Sequence, residues 1–195
     1  LLINSFNYID GIDGLAISQF IISLGFLTFV SKDDNLISYF VFIAPPLIIN
    51  FFFNFNIFLK IKVFLGNSGS LFIGFILAFI LIYLAKFKEI HPSFLIWSVF
   101  FYVYEFLSVN LMRIKNNNAL FEGGKDHIHH AIYYLFGKSH IKTTLLLGTF
   151  SLTVMILLYL ININYSKILS LVLFFILFFV YYFIRQKIFI YYNNK

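Results

Sequence analysis

Six long apolar runs separated by short polar stretches constrain this chain more than any other feature of its 195 residues. They fall at about 15–30, 36–54, 70–87, 93–112, 143–162 and 167–190, each near the roughly 20 residues that cross a bilayer as an α-helix. In hydrocarbon a backbone must satisfy its own N–H and C=O groups, and a helix does so within one segment. The expected fold is therefore all-α, a polytopic integral membrane protein with about six transmembrane helices. Composition agrees, with 61% hydrophobic and 11% charged residues, where soluble domains carry about a quarter charged. The chain has no cysteine, which excludes disulfides and thiolate metal sites. Pro45-Pro46 removes two backbone donors from the second run and predicts a kink there. No internal repeat or soluble domain interrupts the pattern, so residues 1–195 read as a single membrane domain. A polar motif begins almost at residue 1 with no basic leader before it. The chain is expected to be the C-terminal portion of a longer protein.

Crossing six times places residues 1–14, 55–69, 113–142 and 191–195 on one side. That side holds Lys60, Lys62, Arg113, Lys115, Lys125, Lys138, Lys142, Arg185, Lys187 and Lys195. The other holds Lys32, Lys86, Lys88 and Lys167. Ten basic residues against four orient the first side toward the cytoplasm by the positive-inside rule. The net charge of +6 thus marks a membrane face, and no nucleic-acid partner is expected.

Three polar islands fall on that same side. The first spaces Asn4, Asn7, Asp10 and Asp13 three residues apart, with Gly11 and Gly14 between and after the aspartates. On a helix such residues drift slowly round one face. Hard carboxylate and amide oxygens suit a divalent cation, a nucleoside or proton movement, and the glycines admit a ligand close to the backbone. The plainer alternative is a turn capping the next helix, since Asp and Asn are favoured caps. The second island, Gly66-Asn67-Ser68-Gly69-Ser70, offers free N–H groups at a helix start, a ready anion site. It lacks the Gly-Lys-Ser/Thr ending of a P-loop and is weak alone. The third is Lys125-Asp126-His127-Ile128-His129-His130 after Gly123-Gly124. If Asp126 caps a helix, His127 and His130 share a face near its positive end, which suits a pyrophosphate. The spacing is not that of a zincin, whose helical histidines stand four apart with an intervening Glu. Isolated histidines such as His91 and His140 read as ordinary loop residues.

Together these segments resemble the polyprenyl-phosphate N-acetylhexosamine-1-phosphate transferases. Asn7-Tyr8-Ile9-Asp10-Gly11-Ile12-Asp13-Gly14-Leu15 is similar to the family's Asn-x-x-Asp-Gly-x-Asp-Gly-Leu. Phe64-Leu65-Gly66-Asn67-Ser68-Gly69-Ser70 is similar to Phe-[Leu/Met]-Gly-Asp-x-Gly-Ser, and His127-Ile128-His129-His130 to His-x-His-His. The resemblance extends over essentially the whole chain. It implies transfer of a phospho-sugar from a UDP-N-acetylhexosamine to a polyprenyl phosphate, with release of UMP and Mg²⁺ assistance. The setting it implies is a bacterial plasma membrane with a cytoplasmic active site, and a homodimer is a further expectation. By the same resemblance Asp10, Asp13 and Asn67 are the catalytic positions, and Asn7 and Asn67 lie at the metal. Asn4, Asn7, Phe64, Lys125, His127, His129 and His130 bind substrate, with the Phe64 ring on the uracil beside Asp13. The chain departs from the family at three places. It has no Asp-Asp-x-x-Asp loop, Asn67 stands where the family has aspartate, and Gly123-Gly124-Lys125 replaces Pro-Asp-Arg. Two other readings follow from the residues, an inactive relative that keeps the fold and a transporter. A transporter places ionisable groups near the midplane of its spans, where this sequence offers Glu105.

Overall fold

The computed structural model describes residues 1–56, 61–117, 119, 120, 124 and 126–193. It is all-helical among the described residues. The helices are α1 (Leu2–Ile9), α2 (Leu15–Ser31), α3 (Asp34–Asn54), α4 (Gly66–Phe87), α5 (Pro92–Leu95), α6 (Phe100–Lys115), α7 (Ile128–Leu135), α8 (His140–Asn164) and α9 (Lys167–Asn193). A 3₁₀ turn, Ile96–Val99, joins α5 to α6. By length and composition five segments can cross a membrane: Asp34–Asn54, Gly66–Phe87, Pro92–Lys115, His140–Asn164 and Lys167–Tyr192. The sixth expected span is the apolar but shorter Leu15–Ser31. Its 17 residues rise about 26 Å as an α-helix, somewhat less than the roughly 30 Å hydrocarbon core.

Pairings at the two ends show that α2 nevertheless runs the full height of the bundle. Asp13, just before α2, pairs with Lys62, just before α4, while Asp33, just after α2, pairs with Lys88, just after α4. The remaining helices alternate accordingly. Ser93 of α5 meets Asn162 near the end of α8, and Arg113 near the end of α6 meets Asp126 before α7. The three polar islands therefore share one end of the bundle, as the crossing count required.

Burial follows from apolar patterning turned outward. The central α2 buries most of its circumference, Phe20, Leu24 and Leu27 among them, and leaves Phe29 exposed on the remaining side. Peripheral α3 and α9 leave large side chains such as Phe42 and Phe175 exposed, as lipid-facing helices do. Inside, Phe6 stacks on Tyr102 with ring centroids 4.2 Å apart. Several interior polar groups find partners, as in Ser23 Oγ donating to the Ser98 carbonyl at 2.7 Å and Trp97 Nε1 to Ser170 Oγ at 2.9 Å. Unpaired groups are costly where no water reaches. Helix α3 continues through Pro45 and Pro46.

Candidate active site

The first island does not form one helix face. Helix α1 carries Asn4 and Asn7 and ends at Ile9, with Asp10 as its C-cap residue. Residues 10–14 then turn, so Asp10 and Asp13 are presented by a turn rather than by successive helix positions. The capping alternative fails as well. The residue capping α2 is Gly14, with φ of 70° and no side-chain cap bond. That φ lies where only glycine is at ease, and a β-carbon there would also meet the Phe55 ring at 2.4 Å.

Neighbouring elements hold the turn from several sides. Asn54, at the end of α3, accepts the Gly14 N–H and donates to the Val63 carbonyl at 2.8 Å, which links the turn to the segment before α4. Thr144 of α8 donates to the Asp13 carbonyl at 2.8 Å. His140 Nδ1 accepts the Asp13 N–H at 3.0 Å and lies 3.3 Å from Asp13 Oδ2. The cation on Asp13 is Lys62, whose Nζ lies 2.7 Å from Oδ2 and 4.9 Å from the centre of the Phe64 ring. His140, read as an ordinary loop residue from sequence, thus belongs to the site, and only its spatial neighbour Asp13 reveals this.

Asp10 is half-buried and has no cation beside it among the described residues. Burial, and then the Asp13 charge, push its carboxyl up to about 7. The second island joins the first through Ser70, whose hydroxyl lies 3.3 Å from Asn7 Oδ1 and 3.1 Å from the Asn67 carbonyl. Asn67 is exposed at the start of α4. The Phe64 ring is 66% exposed and so available to a ligand.

The third island meets the first at Gly11. A β-carbon on that residue would come within 2.6 Å of His129 Nε2 and 3.1 Å of the His130 ring. His127 and His129 stack with rings 1° from parallel, and His130 lies against His129 with centroids 4.3 Å apart. His129 is fully buried with neither ring nitrogen hydrogen-bonded. Burial first, then the neighbouring His130 and His127, hold its pKa well below the usual histidine range. Lys125 lies outside the described residues.

Asp126 does not cap α7. It forms a two-pronged ion pair with Arg113, at 2.7 Å from Nε and 2.8 Å from Nη2. Burial raises the Asp126 carboxyl, but this pairing prevails and holds it below the usual range. The α7 N-terminus is instead capped by Glu105 of α6, which accepts the Ile128 N–H at 2.8 Å. Glu105 also takes a hydrogen bond from Tyr181 at 2.6 Å and pairs with Arg185 Nε at 3.4 Å. Glu105 was the ionisable residue that sequence alone placed within a span, and Arg185, which the crossing count assigned to the basic face, is its buried partner. Neither reads as a site residue from sequence.

Fold and site together define an integral membrane protein with a cluster of carboxylate and histidine side chains at one end of its helical bundle. Residues 1–85 match the family described as Glycosyl transferase family 4. The chain is 27% identical over 150 residues to the probable undecaprenyl-phosphate N-acetylglucosaminyl 1-phosphate transferase of Bacillus subtilis, covering 74% of this chain and 40% of that protein. It is 28% identical over 136 residues to the undecaprenyl-phosphate alpha-N-acetylglucosaminyl 1-phosphate transferase of Yersinia pestis, covering 67% of this chain and 37% of that one. The Escherichia coli K12 protein of the same name is 27% identical over the same shares. The chain is thus similar to undecaprenyl-phosphate N-acetylglucosaminyl 1-phosphate transferases, in line with the resemblance of its motifs. Matched segments span about two fifths of these relatives' length. No solved structure matches the chain.

Proposed function

We propose that this chain carries active-site elements of an enzyme that transfers a phospho-N-acetylhexosamine from a UDP-sugar to a polyprenyl phosphate. An oxygen of the lipid phosphate forms a bond to the phosphorus bearing the sugar, and the bond from that phosphorus to UMP breaks. The observation that carries this reading is the meeting of three separate polar segments at one end of an apolar bundle, with Gly11 packed against His129 and His130 and Asn7 beside Ser70. A lipid phosphate reaches such a site from the bilayer and a nucleotide from water. The excess of basic residues at this end supports a cytoplasmic orientation in a bacterial plasma membrane.

In this reading the exposed Phe64 ring stacks on the uracil, and Asp13, held by Lys62 and Thr144, faces the nucleoside. His127 and His130 bind phosphate oxygens. Asp10, Asn7 and Asn67 offer hard oxygens to Mg²⁺. The fit is supported by Asp10, a half-buried carboxyl beside a second carboxylate with no cation of its own. Mg²⁺ commonly takes one or two protein carboxylates and keeps waters and substrate phosphates as its other ligands. When bound, the ion offsets the charge of the two anionic reactants.

The test is UMP release by membranes containing the full chain, supplied with UDP-N-acetylglucosamine, undecaprenyl phosphate and Mg²⁺. Release that needs both substrates and falls about 100-fold in His127→Ala or Asp10→Asn supports the reading. Activity indifferent to both substitutions would overturn the residue assignments, and release that does not need undecaprenyl phosphate would overturn the transferase reading.

A further inference from the structure

Helices α6 and α9 reach the histidine segment through a buried cluster that the transfer chemistry does not require directly. Glu105 Oε1 accepts the Ile128 N–H at 2.8 Å and lies 3.5 Å from His127 Nδ1. Its other oxygen takes the Tyr181 hydroxyl at 2.6 Å and lies 3.4 Å from Arg185 Nε. Arg185 also donates to the Asp126 carbonyl, and Arg113 grips the Asp126 carboxylate. Glu105, Arg185 and Tyr181 are all buried, and a charged pair inside a bilayer is costly unless it has a use. A cap alone would need one oxygen, and a surface serine or aspartate supplies such a cap in most helices. Here the cap comes from within a span and contacts both the α7 backbone and the His127 ring.

We infer that Glu105 is a positioning residue for the reaction, holding His127 and the α7 N-terminus in register with the Asp10–Asp13 turn, with Arg185 of α9 as its counter-charge. This inference rests on the transferase reading for its effect on catalysis, though the positioning itself is measurable without it. His127 Nδ1 has no hydrogen-bond partner in this state. A shift of a few tenths of an ångström toward Glu105 closes the 3.5 Å gap to a hydrogen bond. The carboxylate thereby fixes the ring plane, as the third member of an acid–base array does. Misplacement of a binding group by about 1 Å costs on the order of 100-fold in rate.

The test is a double-mutant cycle on UMP release combined with a spin label on α7. Glu105→Gln keeps a carbonyl for the Ile128 N–H but loses the charge facing His127 and Arg185. It is expected to lower kcat/KM by about 10- to 100-fold alone, and to have little further effect in a His127→Ala background. A residue that merely supports the fold would give additive losses instead. Because an unpaired Arg185 can prevent folding, Glu105→Gln with Arg185→Gln serves as the second variant and should show the same coupling. The absence of native cysteine allows a single label at Tyr134→Cys, exposed on α7, which should become more mobile in both variants. Additive losses, or an unchanged label, overturn the inference. A mobile label in a chain that releases no UMP would overturn the transferase reading and leave the positioning intact.

Discussion

Gly11 and His129 touch where the first and third polar segments meet. A β-carbon on Gly11 would stand 2.6 Å from the His129 Nε2, inside any permissible contact. His129 is fully buried, so its ring cannot swing out to solvent to make room. Gly11→Ala is expected to spread the turn from α7 and lower kcat/KM at least 10-fold while the protein remains inserted. Gly66→Ala is the contrast. Its φ of +68° strains an alanine, yet no atom lies within 4 Å, so the effect is a stability loss of about 1–2 kcal/mol. Thermal unfolding and UMP release measured on both variants separate the two mechanisms, and parallel behaviour would show that Gly11 matters only for its backbone.

Asp10 gives the folded protein a pH dependence of definite sign. Its carboxyl is pushed up to about 7 by burial and by Asp13, against about 3.9 in an unfolded chain. Between about pH 4 and 7 the folded state therefore holds a proton that the unfolded state has released, and stability falls as pH rises through that window. Asp10→Asn removes the effect. The variant should match wild type near pH 4 and exceed it at pH 8 by about 2 kcal/mol, after discounting for the solvent that reaches the carboxyl. Mg²⁺ should raise the wild-type Tm at pH 8 and leave that of Asp10→Asn unmoved. Equal Mg²⁺ shifts in both proteins would remove Asp10 from the cation site.

Phe64 should act on binding and not on folding. With the ring 66% exposed, Phe64→Ala removes little buried surface and should leave Tm nearly unchanged. Stacking on a base is worth about 1–3 kcal/mol, so KM for the UDP-sugar should rise about 5- to 100-fold, with recovery in Phe64→Tyr. An unchanged KM would place the uracil elsewhere.

Topology can be read chemically because the chain has no cysteine. Single cysteines at exposed Asn116 and Asp34 lie at opposite ends of the bundle. An impermeant maleimide applied outside intact cells should label Asp34→Cys and spare Asn116→Cys until the membrane is opened. The reverse pattern would put the site outside the cytoplasm.

Long apolar runs located the helices to within about four residues at their ends, five of them long enough to cross a membrane, because in lipid the backbone has no alternative to the helix. Run parity and the placement of Lys and Arg likewise located the polar islands at one end, and Asp33–Lys88 and Asp13–Lys62 confirm the alternation. The finer site was illegible because it depends on residues distant in sequence. Asp126 sits where a cap is expected, yet Arg113 claims it and Glu105 takes over the cap. His140 looks incidental until the start of α8 carries it to Asp13, 127 residues away. Glu105 and Arg185 appear as unrelated charges in two separate spans until α6 and α9 pack. Local hydrophobicity acts over one segment and is written into that segment alone. A carboxylate's partner is settled by whichever cation the packed helices bring within reach, and that competition exists only in the folded bundle.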